Sequence, residues 1–164
     1  MILPAQKQDL PVIEAIYTAA RAYMRRSGNL LQWADGYPKR SLLESDIEKG
    51  RLFVIREGGE IHGVFAFILG DDPTYAYIED GQWPNSRPYG TIHRIASDGK
   101  IKGIFTQAFD FAKAHADEIR VDTHRDNKTM QHVVLRHGFV RCGIIYLENG
   151  DPRIAYQYSK EASL

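Results

Sequence analysis

Apolar residues recur along the chain with two periods, and the switches between them mark its elements. Residues 1–5 read as a short edge strand. Asp9 then reads as an N-cap with Pro11 in the first turn, and Ile13, Ile16, Tyr17, Ala20 and Met24 follow at helical spacing up to Gly28. Asn29 to Pro38 is a loop. Ser41 and Glu44 make the capping-box pattern of a short second helix that Gly50 closes. Leu52–Arg56 and Ile61–Leu69 flank Gly58-Gly59, which predicts a β-hairpin. Its second strand is apolar on both faces, the pattern of a central strand. Asp71 to Pro88 is a long polar loop, a length that suggests a binding element.

Tyr89–Ser97 is a further strand and Asp98–Lys102 a polar turn. Ile104, Phe105, Ala108, Phe109, Ala112 and His115 then mark an amphipathic helix. Ile119, Val121 and Thr123 alternate with polar residues, as on a strand. A helix from Asp126 or Asn127 carries Met130, Val133, Val134 and His137 and stops at Gly138. Phe139–Leu147 and Arg153–Tyr158 form a hairpin around Asn149-Gly150. The order is β, α, α, β, β, β, α, β, α, β, β. Hairpin neighbours pair antiparallel, while the βαβ unit from Tyr89 to Thr123 requires one parallel pair with a right-handed crossover. The expected fold is therefore α/β (α+β), a central mixed, mostly antiparallel twisted sheet with helices on both faces. Residues 1–164 are expected to form one domain.

Composition narrows the function. Lys plus Arg and Asp plus Glu both number 21, so the net charge is zero and a dedicated nucleic-acid binder is disfavoured. Zero net charge leaves a homodimer open. A single cysteine, Cys142, forbids an intrachain disulfide. The N-terminus lacks a secretory pattern, and the longest apolar run, Val64 to Leu69, is too short to cross a bilayer. A cytoplasmic protein with no membrane partner is expected.

The stretch richest in chemistry follows the strand ending at Ser97. Gly99-Lys100-Ile101-Lys102-Gly103 leads straight into a helix. Free N–H groups and the helix dipole there favour a phosphate, Lys100 and Lys102 add positive charge, and Gly103 lets a ligand approach the backbone. Ile101 after Lys100 excludes a Walker loop, and the GxGxxG fingerprint is absent. An ordinary exposed turn shows the same local features.

The segment resembles the acetyl-CoA motif of the GNAT superfamily of acyl-CoA-dependent N-acetyltransferases. That motif is Gln or Arg, two residues, Gly, any residue, then Gly or Ala, and Lys100, Gly103 and Phe105 occupy its marked places. Asn127, Met130, Gly138 and Phe139 resemble the second motif, an Asn opening a helix that ends in Gly-Phe. Asp122 to Tyr146 is similar to small bacterial members, and the order of elements matches over nearly the whole chain.

The resemblance implies acetyl-CoA as cosubstrate, no metal, and direct transfer to an amine without an acyl-enzyme. Ile95 and Ser97 would bond the pantetheine arm through their backbones, and an N–H near Ala96 would polarise the thioester. Gly103, Ile104, Phe105 and Thr106 would hold the pyrophosphate beside Lys100 and Lys102. Asn127 would bond the arm and Met130 pack along it. Phe105 departs from the family's small residue and either crowds the phosphate or points into the core. Val134 stands where many members have the Tyr that protonates the leaving thiolate.

His93 leads the candidate bases, since histidine titrates near neutrality, though a sheet histidine bonded to a neighbour is an equal reading. Glu79 is the second candidate and His124 the third. No His, Cys, Asp or Glu spacing matches a metal site. Trp33 and Tyr37 in the first loop, with Tyr75 and Trp83 in the long one, are candidates to wall the acceptor pocket. Each of these residues also suits a role in pinning its loop. The acceptor is expected to be a small-molecule amine or a peptide N-terminus. The alternatives are a CoA-binding or regulatory module of this fold with little activity, and a dimeric interaction protein without CoA.

Overall fold

The apolar rhythms resolve into seven strands and four α-helices in the computed structural model, which describes residues 1–163. They are β1 (Ile2–Pro4), α1 (Leu10–Arg26), α2 (Arg40–Glu48), β2 (Leu52–Glu57), β3 (Glu60–Leu69), β4 (Gly90–Ser97), α3 (Ile104–Lys113), β5 (Glu118–Thr123), α4 (Lys128–Arg136), β6 (Val140–Tyr146) and β7 (Pro152–Ser159). One sheet contains all the strands in the order β1-β2-β3-β4-β5-β7-β6. Every neighbouring pair is antiparallel except β4 with β5, the pair joined through α3. This is the mixed, mostly antiparallel sheet that the element order predicts.

The helices divide between the faces according to their apolar stripes. Ile104, Phe105, Ala108, Phe109 and Ala112 of α3 and Val134 of α4 pack with Phe65, Ile92, Ile119, Val121 and Tyr156 on one face. Leu10, Ile13, Ile16 and Tyr17 of α1 and Leu43 of α2 pack with Leu52, Val54, Val64 and Ala66 on the other. β3, third in the order, is buried on both sides along most of its length, hence its unbroken apolar run.

Two helix starts differ from the capping patterns. α2 begins at Arg40 with no side-chain cap, so Ser41 lies inside its first turn. Glu44 pairs with Arg40 at 3.0 Å instead, and Arg40 also reaches Glu14 at 2.9 Å. That pairing accompanies a helix start two residues earlier than the box predicts, with Lys39 rather than Ser41 at the cap position. The Asp9 carboxylate accepts from Gln6 N–H and from Arg56, at 2.9 and 3.0 Å, closing a 3-10 turn ahead of α1 rather than capping α1.

The long segment between β3 and β4 lies clamped to the sheet. Glu79 and Ile144 exchange backbone hydrogen bonds of 3.0 and 2.8 Å as an isolated antiparallel bridge. The approach is close enough to require glycine on both sides: a Cβ on Gly81 would stand 1.9 Å from Cys142 O, and one on Gly143 2.5 Å from Glu79 O. Beneath the segment Tyr75 and Tyr89 bury against Ile145 and Ala155.

Candidate active site

The parallel pair holds only at its start. Gly90 pairs with Ile119 and Thr91 with Arg120, after which β4 and β5 part. Among the described residues, no strand pairs with the β5-facing edge of β4 from Ile92 to Ser97. The strand is also bulged here. Arg94 and Ile95 together face Phe65, and Arg94 takes φ +52°, a backbone region sparsely used by residues with a side chain.

The bulge is braced from α1 and α2. Tyr17 donates its hydroxyl to Arg94 O at 2.6 Å, and burial pushes that phenol up, keeping it a neutral donor. The Arg94 guanidinium meets the fully buried Asp46 at 2.7 and 3.1 Å, and Arg51 takes the other carboxylate oxygen at 2.8 Å. Tyr37 OH lies 3.4 Å from Arg94, and Trp33 packs between the Tyr17 and Tyr37 rings at 5.6 and 6.3 Å.

At its C-terminal end β4 runs into the glycine turn. Ser97 Oγ accepts from Gly99 N–H, and Asp98 accepts from Lys100 N–H at 2.9 Å and from His62 at 2.8 Å. Burial works to raise the Asp98 carboxyl, but those two donors outweigh it and hold it below its ordinary value. Gly103 is the N-cap of α3 with φ +79°, and the space where its Cβ would stand is open. The first bond within the helix runs from Gln107 N–H to Gly103 O, so the N–H groups of Ile104, Phe105 and Thr106 have no helical acceptor. Lys100 and Lys102 are exposed beside them. Phe105 points into the core, edge-on to His137 at 5.0 Å and Phe139 at 6.1 Å. Its bulk does not intrude on the open backbone.

On the α1/α2 face the same strand presents His93. Its Nε2 lies 3.0 Å from Asp72 Oδ2, while Asp72 Oδ1 accepts from the Thr74 amide and hydroxyl. Burial alone would raise the Asp72 carboxyl, yet the bonds from His93 and Thr74 hold it down to about 2. An ionised carboxylate only accepts, so Nε2 is the donor in this bond. The Tyr75 ring lies 6.1 Å from the His93 ring, and its hydroxyl donates to Asp122 at 2.5 Å. Burial, then the Asp122 charge, push the Tyr75 phenol well up.

The fold recurs in solved structures. A GNAT-family acetyltransferase from Streptococcus agalactiae is 32% identical over 98% of this chain and 95% of its own, with a TM-score of 0.87. A putative acetyltransferase from Staphylococcus aureus Mu50 is 26% identical over 98% and 99%, with a TM-score of 0.70. The chain belongs to the GNAT family of acetyltransferases. The ribosomal-protein-S18-alanine N-acetyltransferase of Escherichia coli, 14% identical over 97% and 92% with a TM-score of 0.62, shares the fold with this GNAT protein. No sequence-family model matches the chain, and no curated protein matches it by sequence.

The remaining candidates of this GNAT chain fall in distinct places. Ala96 is buried opposite Val64, and Ile95 packs toward α3. Asn127 caps α4 by accepting Met130 N–H at 3.0 Å and donates to Gln32 Oε1 at 2.9 Å, so both ends of its side chain have protein partners. Met130 packs half-buried against the α3 core. Thr106 Oγ1 lies 2.8 Å from His137 Nε2. Glu79 sits at the surface, where the hydroxyls of Tyr146 and Tyr77 hold its carboxyl below the usual range and weaken it as a base. His124 Nδ1 accepts Asp126 N–H at 3.0 Å, and burial lowers its pKa, with the Arg153 charge adding to the effect. Trp83 donates to Tyr75 O at 2.9 Å and covers Arg120 at 3.7 Å, pinning the long segment. Cys142 is buried, which pushes its thiol up to about 11 and suits packing. Among the described residues no group of three or more His, Cys, Asp or Glu is placed to hold a metal, and no helix is long and apolar enough to cross a membrane.

Sequence reasoning passed over Asp72, Asp46 and Arg94. Asp72-Pro73-Thr74 carries a turn-capping signature that marks Asp72 as ordered. Asp46 has Arg51 five residues on, but nothing local marks its pairing with Arg94, 48 positions away.

Proposed function

We propose that the protein transfers the acetyl group of acetyl-CoA to a primary amine by direct attack within a ternary complex. The observation that carries this reading is the parting of β4 from β5 beside an unobstructed helix start, with His93 held by an ionised carboxylate on the adjoining face.

Acetyl-CoA would supply the electrophilic thioester. The residues present fit it: the Ile104, Phe105 and Thr106 N–H groups and the exposed Lys100 and Lys102 suit a pyrophosphate, and the free edge of β4 suits an extended amide arm. Phe105, buried in the core, removes one ground for the alternative of a CoA-binding module with little activity. On the acceptor face Asp72 fixes the His93 ring through Nε2. His93 then takes the proton of the attacking ammonium group, which must be neutral to react. Val134 is fully buried and offers no acid for the leaving thiolate. The thiolate therefore departs unprotonated or takes its proton from water.

Thermal unfolding with acetyl-CoA tests the cofactor assignment. Ligand at about 100 times its dissociation constant should add about 2.7 kcal/mol of stability. No rise at millimolar ligand overturns the assignment. Given binding, release of free CoA thiol with an amine panel tests turnover, and the total absence of release leaves the binding-module reading in place. His93→Ala should lower kcat about 10²- to 10⁴-fold with acetyl-CoA affinity unchanged.

A further inference from the structure

Arg153 stands near the start of β7 and is 5% exposed. Nη1 donates to Pro152 O at 2.8 Å and Nη2 to Gln32 O at 3.3 Å, and both partners are neutral. Among the described residues no carboxylate oxygen comes within 4.0 Å of it. Burial lowers its pKa, with Asp122 and Asp151 opposing from farther off. The other buried guanidinium groups are compensated. Arg94 has Asp46 at 2.7 Å, and Arg120 lies between the Trp83 and Tyr89 rings at 3.7 and 3.8 Å with Gln157 on its Nε. Among the described residues Arg153 has neither a contacting carboxylate nor a ring. A guanidinium carries five N–H donors, and a desolvated cation that keeps donors in reserve is suited to a bidentate carboxylate.

Its position directs that capacity. Arg153 shares a strand face with Ala155, which packs beneath Tyr75. Ala155 pairs with Asp122, the residue that holds the Tyr75 hydroxyl, and the Tyr75 ring adjoins His93. Arg153 and His93 thus face one side of the sheet two strands apart, with β4 and β5 parting beside His93 and Arg153 set two residues along β7 from its Asp122-paired neighbour Ala155. A molecule lying between them would meet the imidazole at one end and the guanidinium at the other.

We propose that Arg153 receives a carboxylate of the acceptor, so that the acceptor is a small amine carrying a carboxylate rather than a polyamine or an uncharged amine. The proposal rests on the acetyl-transfer reading for the fate of the amine, while the carboxylate site stands on Arg153 alone. The test uses amino acids, each as the free carboxylate, the carboxamide, the decarboxylated amine and the aminophosphonate. The wild type should favour the carboxylate over the carboxamide and the decarboxylated amine by about tenfold or more in kcat/KM. Arg153→Gln should erase that preference mainly through KM, and Arg153→Lys should restore part of it. Acetyl-CoA affinity within about twofold of wild type shows that a variant is folded. Equal rates for carboxylate and carboxamide, a preference for polyamines or for the aminophosphonate, or a preference that survives in Arg153→Gln each overturn the proposal.

A second readout needs no turnover. Millimolar carboxylate amine without acetyl-CoA should raise the wild-type melting temperature, the matching carboxamide should not, and Arg153→Gln should lose the response. A wild type that binds acetyl-CoA but shows no such response overturns the Arg153 site. One that responds to the carboxylate but not to acetyl-CoA overturns the transfer reading instead.

Discussion

The two flanks of β4 are built from different materials. At the glycine turn the groups on offer are backbone amides, and the side chains that make the turn point away: Phe105 and Ile104 into the core, Asp98 back onto His62. On the α1/α2 face the groups on offer are side chains, and each is held by another from a distant segment. His93 is held by Asp72, Tyr75 holds Asp122, and the bulge at Arg94 is held by Tyr17 and Asp46. A backbone site tolerates side-chain change provided its φ angles survive. A side-chain site depends on the packing of whole elements.

The largest expected effect follows for the braced flank. Asp46 is fully buried between Arg51 and Arg94. Asp46→Ala leaves the buried Arg94 cation beside a cavity, and removal of one partner of such a pair costs about 3–5 kcal/mol. Urea unfolding checks the value. A loss below about 1 kcal/mol would mean that the ion pairs do not support the bulge.

The backbone flank predicts a smaller and more selective effect. Gly103→Val forces a β-branched residue to φ +79°, a strain of about 1–3 kcal/mol, and puts its methyl groups into the open space at the helix start. Acetyl-CoA affinity should fall by about tenfold or more. Phe105→Leu should keep that affinity while losing core stability, about 1–2 kcal/mol. Titration calorimetry on the two variants separates them. Equal affinities would deny that the N–H groups here bind the phosphate.

The same contrast explains what could be read from the chain. Local patterns write the elements, so all strands and helices, the single parallel pair and the central β3 were legible. The glycine turn was legible too, because Gly103 and the helix behind it are adjacent in sequence. Local patterns misled where a distant partner intervened. Arg40 is drawn to Glu14 and starts α2 ahead of Ser41, and Asp9 is drawn to Arg56 away from α1. The long polar segment read as a loop suited to binding, and its clamp, Gly81 against Cys142 and Glu79 against Ile144, went unread because it joins residues about sixty positions apart. His93 was visible as a residue type, and its partner was not. The pairing of Arg94 with Asp46 spans the hairpin between them, and no spacing rule reports it.

The smallest expected effect concerns the His93 partner and is set by pH. The Asp72 carboxyl is held down to about 2, below its ordinary 3.8, by its bonds to His93 and Thr74. A depressed carboxyl contributes stability that is present in full above the unfolded value and is lost as pH falls through the folded one. Asp72→Asn keeps the shape without the charge. The wild type should therefore be more stable than the variant by a constant margin above about pH 4, and the margin should close between about pH 4 and pH 2 as Asp72 takes up its proton. Urea midpoints of the two proteins across that range measure it. A margin unchanged down to pH 2 would place the stabilisation in packing rather than in the carboxylate. At neutral pH the same variant frees the His93 ring to turn over or change tautomer, so kcat should fall with acetyl-CoA affinity intact. A variant that lost stability at neutral pH and kept full kcat would separate the two roles, leaving Asp72 as a strut for the long segment and His93 correctly poised without it.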